Sequence, residues 1–218
     1  MKKVGILISG RGSNMVALLE GMRAGEIPAQ AALVVADRAD APGLAKAASF
    51  GVPTAVVDRK DYRGRREEHD RAVADALEAA GVDLVCLAGY MRILGAAFVE
   101  RFAGRMINIH PALLPAFPGL HAQRQALEQG ARISGCTVHF VDAQVDHGPT
   151  IVQAAVPVLP DDTEQSLSTR ILEQEHRVYP LALKWLCQGR VRVEQGRAVL
   201  EGEAVEPPGS LMVPGPDA

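Results

Sequence analysis

Three segments of the chain bring chemistry-bearing residue types close together. The first is Ser9-Gly10-Arg11-Gly12-Ser13-Asn14. Glycines let the backbone approach a ligand, and a helix start offers unpaired N–H groups at the positive end of its dipole. Ser13 and Asn14 add side-chain donors. This pattern suits a phosphate. It lacks the lysine of a Walker A loop and the full G-x-G-x-x-G of a dinucleotide site. A tight strand-to-helix turn capped by Ser or Asn is the competing reading.

The second segment is Asn108-Ile109-His110-Pro111. On a strand, Asn108 and His110 project to the same side, at the carboxyl end where open α/β sheets bind ligands. An amide can hold a developing oxyanion while an imidazole moves a proton, which together suit acyl transfer. The third segment, Asp142-Ala143-Gln144-Val145-Asp146-His147-Gly148-Pro149, is a polar loop between two late strands. A carboxylate from it can pair with His110 and favour the imidazolium; a solvated turn is the alternative. The remaining histidines read differently. His69 lies on a charged helix and is expected at the surface, and His139 alternates with apolar neighbours and is expected to pack. His121 and His147 border the candidate site. No His/Cys/Asp cluster has metal-ligand spacing, so no metal is expected.

These residues need elements to position them. Short β-branched runs at 4–8, 32–35, 54–57, 84–87 and 106–109 alternate with helical stretches at 13–22, 43–50, 66–80 and 96–102. Such alternation predicts an α/β fold: a Rossmann-like, mostly parallel twisted sheet with helices on both faces. The second half changes character. A proline-rich loop spans 111–119, a helix covers 122–129, and strands at 137–141 and 151–158 form an antiparallel end to the sheet. Asp162 with Gln165 resembles a capping box opening a helix towards Leu186, which Pro180 should kink or divide. A hairpin through Gln195-Gly196 follows. Residues 1–205 form one domain, with a phosphate-binding half over about 1–100 and a catalytic half over about 101–205, and residues 206–218 form a proline-rich, poorly ordered tail.

Composition narrows the function. The chain has 218 residues, 48% apolar and 22% charged, which excludes collagen-like, coiled-coil and wholly disordered classes. Its net charge of −3 argues against wrapping nucleic acid. Of 23 cations 18 are arginine, the residue suited to carboxylates and phosphates, although base composition accounts for much of that surplus. Cys86, Cys136 and Cys187 form no C-x-x-C pair. The N-terminal apolar run is too short for a signal peptide, and no stretch approaches the roughly 20 residues that cross a bilayer. The expected setting is a reducing cytoplasm.

Five segments in consistent order resemble the phosphoribosylglycinamide formyltransferases, the folate-dependent glycinamide ribonucleotide transformylases of the formyltransferase family. They are ISGRGSN at 8–14, LAGYMRIL at 87–94, NIHPALLPAFPGLHAQRQAL at 108–127, TVHFVDAQVDHGPTIVQAAVPV at 137–158 and EQEHRVYP at 173–180. The resemblance implies formyl transfer from 10-formyltetrahydrofolate to the amino group of 5′-phosphoribosylglycinamide in purine synthesis, without a metal. It makes Asn108, His110 and Asp146 catalytic. It assigns the ribonucleotide to Gly12, Ser13, Asn14 and Glu175, with Gln174 and His176 nearby. It assigns the folate to Arg66, Met91, Arg92, Ile93, Leu94, Asn108, Val141, Asp142, Ala143, Gln144, Val145 and Asp146. Met91, Ile93 and Leu94 would flank the ring, and Arg92 and Arg66 (or, with a register slip, Arg65) would meet the glutamate tail. Tyr90, Arg11 and His147 depart from the usual family residues. Partners are small molecules rather than nucleic acid or membrane, and the chain is a monomer or homodimer.

Three other readings compete. A formyltetrahydrofolate hydrolase shares the Asn, His and Asp but carries an extra N-terminal domain, and here the first strand begins by Val4. A methionyl-tRNA formyltransferase needs a basic C-terminal domain. A non-catalytic nucleotide-binding module has no use for Asn108, His110 and Asp146 together.

Overall fold

A computed structural model describes residues 1–202. The expected tail at 206–218 lies outside the described residues. The elements run β1 (Lys2–Ile8), α1 (Ser13–Arg23), β2 (Ala29–Ala36), α2 (Gly43–Ser49), β3 (Thr54–Val56), α3 (Arg66–Ala79), β4 (Leu84–Leu87), α4 (Ala96–Arg101), β5 (Met106–His110), α5 (Ala122–Glu128), β6 (Ile133–Phe140), β7 (Thr150–Pro157), α6 (Glu164–Cys187), β8 (Val191–Glu194) and β9 (Arg197–Leu200). A 3₁₀ turn at Arg59–Tyr62, not evident in the sequence, follows β3. Seven strands form one sheet in the order β3-β2-β1-β4-β5-β6-β7. Strands β1 to β5 pair in parallel, whereas β6 runs antiparallel to both β5 and β7. Strands β8 and β9 form the expected hairpin, with positive φ at both Gln195 and Gly196 as a type I′ turn requires. The α/β sheet expected from the sequence is therefore the one observed.

Alternation along the strands divides the core in two. Ile6, Ile8, Val34, Ala36, Cys86, Ile107 and Val138 face α1, α2 and α6. Leu7, Leu33, Val35, Val85, Leu87 and Met106 face α3 and α4. This second cluster takes no residue from β6 or β7. On that face the apolar cover stops at β5, and polar side chains take over.

Four local expectations need correction. The cap of α6 is Thr163, not Asp162: Thr163 Oγ1 accepts from Ser166 N at 3.1 Å, and Ser166 Oγ accepts from Thr163 N at 2.9 Å. Asp162 is instead taken by Arg170, whose two terminal nitrogens donate to it at 2.7 and 2.9 Å, which holds its carboxyl well below the usual range. Pro180 does not divide α6, which runs unbroken from Glu164 to Cys187. An interior proline costs a helix about 3 kcal/mol. Burial of Tyr179, Ala182 and Leu183 on both sides of it offsets that loss. His69 is fully buried, not exposed, because α3 turns that face inward. Its Nε2 lies 2.9 Å from Val57 O, and its ring stands edge-on to Tyr62. Finally, β6 begins at Ile133, four positions before the expected start, since burial on both faces removes the polar/apolar signal there.

One phenol secures the fork between β4 and β5. Tyr179 of α6 is fully buried and donates its hydrogen to Leu87 O at 2.9 Å and Ile107 O at 3.1 Å. Tyr179→Phe leaves both carbonyls without that donor. Urea unfolding should show a loss of about 1–3 kcal/mol.

Candidate active site

The loop after β1 leaves backbone donors open towards a cavity. Gly12 adopts a left-handed φ of 65°, and a Cβ there would meet Met15 Cε at 3.0 Å and Gly43 Cα at 3.3 Å. No side chain caps α1, contrary to the capped-turn alternative, so the first N–H groups of the helix remain open. They border a cavity of about 260 Å³ lined by Gly10, Gly12, Ser13 and Asn14 and by the guanidinium-bearing Arg38 and Arg59. The cavity lies at the carboxyl ends of β1 and β4, where the strand order reverses.

Asn14 does more than line it. Its Nδ2 donates to Glu175 Oε2 at 2.6 Å across 161 positions of sequence, while its buried Oδ1 has no partner within the chain. Burial of Glu175 pushes its carboxyl above the ordinary range, and the Asn14 bond partly counters that. Gln174 accepts instead from Arg177 along the helix. His176, held low by burial, faces Glu20. Neither Gln174 nor His176 lines the cavity.

The catalytic candidates converge on the face of the sheet that the second core leaves uncovered. Asn108 and His110 end β5, and their cross-strand partners on β6 are His139 and Thr137. The loop after β6 folds back so that Asp146 Oδ2 lies 3.2 Å from His110 Nδ1. Gly119 N donates to the same oxygen at 2.8 Å. On the other side of the ring, His110 Nε2 donates to Phe117 O at 2.8 Å. A carbonyl and a carboxylate only accept, so a doubly protonated imidazole satisfies both. His110 and Asp146 are largely buried, at 5% and 11% side-chain exposure, so the pair is sheltered from water. Asp146 and Phe117 both sit at positive φ, 52° and 54°, a backbone cost typical of functional loops. The return to β7 depends on Gly148, where a Cβ would clash with Phe140 O.

His139, expected from its apolar neighbours to pack, is buried as expected and also touches Asn108. Its Nδ1 donates to Phe140 O at 2.8 Å, and its Nε2 lies 3.2 Å from Asn108 Nδ2. Burial keeps this ring below the usual histidine range, hence neutral. Nε2 therefore carries a lone pair and accepts one hydrogen of the Asn108 amide. The other amide hydrogen is left for a ligand. Thr137, opposite His110, donates to Ala112 O at 2.7 Å and accepts from Leu114 N at 3.0 Å, which anchors the loop after β5. The sequence carries a signal for both: Thr137 and His139 are alternate residues of a strand beside Asn-x-His.

The remaining predicted residues form a rim. Met91 and Ile93 are exposed large apolar side chains, as are Val145 and Leu120. Leu94 is buried with Tyr90 and Phe98 in the second core, so its side chain supports rather than flanks. Met91 N donates to Ser9 Oγ at 2.8 Å, joining this rim to the anion loop. Arg66 is half exposed and 3.8 Å from Asp70, which also accepts from Gly95 N at 2.8 Å. Arg65 is committed elsewhere, to Asp61 O and Glu68. Arg92 Nε is buried without a partner in the chain. Asp142 accepts from Gln144 N at 2.9 Å and pairs with His147 at 2.8 Å, bracing the loop, while Ala143 and Gln144 are exposed and Val141 is half-buried. Among the described residues no group of His, Cys, Asp and Glu is placed to hold a metal, and no helix is long and apolar enough to cross a membrane.

A histidine–carboxylate pair, the Asn108 amide beside it and an arginine-lined cavity lie at one end of the sheet. The profile described as Formyl transferase covers residues 2–183. The chain belongs to the formyl transferase family. This formyl transferase is 43% identical to the phosphoribosylglycinamide formyltransferase of Haemophilus influenzae, over 94% of this chain and 96% of that protein. The crystal structure of glycinamide ribonucleotide transformylase 1 from Symbiobacterium toebii matches it with a TM-score of 0.90 at 52% identity, covering 92% of this chain and 94% of that one. A formyltetrahydrofolate deformylase from Pseudomonas syringae matches at 27% identity and a TM-score of 0.83, covering 92% of this chain and 66% of that one.

Two outcomes follow from this geometry. Because burial raises Glu175, its contribution to stability is present below the ordinary value of 4.5 and is lost as pH rises through the raised value. Glu175→Gln should therefore melt with the parent below that pH and at a higher temperature above neutrality, read by paired thermal melts. His139→Phe should lower kcat roughly 10-fold to 100-fold, less than loss of the Asn108 amide itself, and His139→Gln should recover part of it.

Proposed function

We propose that the chain transfers the formyl group of 10-formyltetrahydrofolate to the amino group of 5′-phosphoribosylglycinamide, giving formylglycinamide ribonucleotide and tetrahydrofolate. The carrying observation is the His110–Asp146 pair beside Asn108, on a rim hydrogen-bonded to the anion loop through Ser9 and Met91. Relatives matched over almost their full length bear names for this reaction.

The steps follow from the side chains. The substrate amine attacks the formyl carbon, a C–N bond forms, and the carbonyl pair moves onto oxygen. The free Asn108 amide hydrogen stabilises that oxyanion. The attacking nitrogen loses a proton, accepted by Asp146 directly or across a water. As the bond to the folate nitrogen breaks, that nitrogen takes the proton that His110 Nε2 now shares with Phe117 O. Asp146 then releases the amine's proton through water to His110 Nε2, so both side chains return to their starting states and the protons balance. Asp146 keeps the ring oriented throughout. The ribonucleotide phosphate sits on the N–H groups of Gly12, Ser13 and Asn14, with Glu175 beside it through Asn14. The folate lies along Met91–Ile93 and the backbone of residues 141–146, with Arg92 and Arg66 for its glutamate tail. Arg66 serves better than Arg65, whose donors are already engaged. The reaction belongs in the cytoplasm, in keeping with the three free thiols.

Water as acceptor would use the same three residues, and a deformylase shares this fold. The anion cavity favours the ribonucleotide. Tetrahydrofolate release from 10-formyltetrahydrofolate should require glycinamide ribonucleotide. Equal release with and without it would sink the transferase reading. Asn108→Ala should lower kcat by about 10²–10³ and His110→Ala by about 10²–10⁴.

A further inference from the structure

The anion cavity holds more positive charge than its loop requires. Arg11, Arg38 and Arg59 all line it. Arg38 is committed: Nε and Nη2 each donate to one oxygen of Asp40 at 2.5 Å. Arg59 is not. Among the described residues its guanidinium makes no hydrogen bond, and the nearest carboxylate, Asp37, lies 3.7 Å away, beyond hydrogen-bond range.

Asp37 is itself unusual. It directly follows β2 and is fully buried, yet neither carboxylate oxygen has a hydrogen-bond partner. A buried carboxylate is costly unless a cation or donor compensates it. Three groups face it: the Tyr90 phenol, also unpartnered and pushed up by burial beside Asp37, the committed Arg38, and Arg59. Only Arg59 offers a free full charge. The backbone holds it there. Arg59 N donates to Asp37 O at 3.0 Å, and Asp58 caps the 3₁₀ turn by accepting from Lys60 N at 2.9 Å. Asp37 N in turn faces Ile8 O at 3.4 Å, at the foot of the anion loop.

We propose that Arg59 is a further ligand for the substrate phosphate and that it offsets the buried charge of Asp37. This rests on the reading of the cavity as the ribonucleotide phosphate site. A guanidinium presents five donors in a fork, so one edge can face Asp37 while another meets a phosphate oxygen. Without Arg59, the uncompensated charge of Asp37 would oppose the incoming dianion. The arginine thus donates to the phosphate and cancels the charge that would oppose it.

The test separates these roles with inorganic phosphate as probe, titrated by NMR into wild type, Arg59→Met, Asp37→Asn and the double variant, alongside steady-state kinetics. Arg59→Met should weaken phosphate about tenfold and raise KM for glycinamide ribonucleotide by a similar factor, leaving kcat and the folate KM within about twofold. Adding Asp37→Asn should recover part of the loss, because the repelling charge is gone, and leave the double variant about threefold weaker than wild type, because the arginine's donors are still missing. Asp37→Asn alone should bind at least as tightly as wild type. Phosphate binding by Arg59→Met within twofold of wild type, or a double variant no better than Arg59→Met, would overturn the proposal. Should Arg59→Met fail to fold, Asp37→Asn is compared with the double variant, which leaves no buried charge exposed; equal affinities would overturn it. Wild type that binds phosphate with this pattern but transfers no formyl would refute the reaction and leave the arginine site standing.

Discussion

The antiparallel register between β5 and β6 is the constraint on which the site depends. It sets Asn108 against His139 and His110 against Thr137. Side chains alternate along a strand, so a slip of one residue would turn these four into the apolar core beneath α6 and turn Ile107, Ile109 and Val138 towards the site. That exchange is prohibitive, which makes the register secure. Reversal of direction at β6 also sends the following loop back over the polar face, where Asp146 reaches His110. Loops, not helices, cover that face, since the second core ends at Met106. Loops can open for a ligand as a packed helix cannot.

Helix α6 couples the two halves. Glu175 and Tyr179 are one turn apart and share a face. Tyr179 satisfies carbonyls of β4 and β5, while Glu175 takes the amide of Asn14 beside the anion loop. Ile171, Ala182 and Leu183 on the same helix supply the burial that holds both in place. The acidic helix residue facing the anion loop is thus carried by the element that secures the sheet fork. Electrostatics follow the same local logic. The chain is net acidic at −3, and some arginines are engaged in exposed pairs, such as Arg101 with Asp75 and Glu78. Such pairs add little stability. Arg59, Arg66 and Arg92 differ in that none of them makes a side-chain hydrogen bond among the described residues.

Much of the fold is legible in the sequence because parallel strands buried on both sides read as apolar runs bounded by glycine turns. Strands β1 to β5 and their helices are expected within a few residues of their observed ends. Strand β6 is harder. Its sequence ISGCTVHF mixes small, polar and apolar residues, since one face packs under α6 while the other carries the site. The alternation around His139 announces its burial but not its contact with Asn108, since such a pattern says which residues share a face and not what lies beside them. His69 misleads through its charged neighbours Glu67, Glu68 and Asp70, though only one stripe of α3 meets water. Pro180 looks like a break because local propensity takes no account of the burial around it.

What the sequence determined by itself was the inventory and its order: a glycine turn before a helix, Asn108 and His110 on one side of a strand end, and a carboxylate-bearing loop between later strands. These are local facts, set by steric rules that act over a few residues. What only the tertiary structure decided was which of these groups touch. Asp146 beside His110, Asn14 bonded to Glu175, His139 turning the Asn108 amide and Asp37 facing Arg59 are all contacts between segments remote in sequence. Hydrogen bonds fall away over about an ångström beyond their ideal length. Such contacts exist only where strand pairing and core burial have already brought the backbones to the required separation.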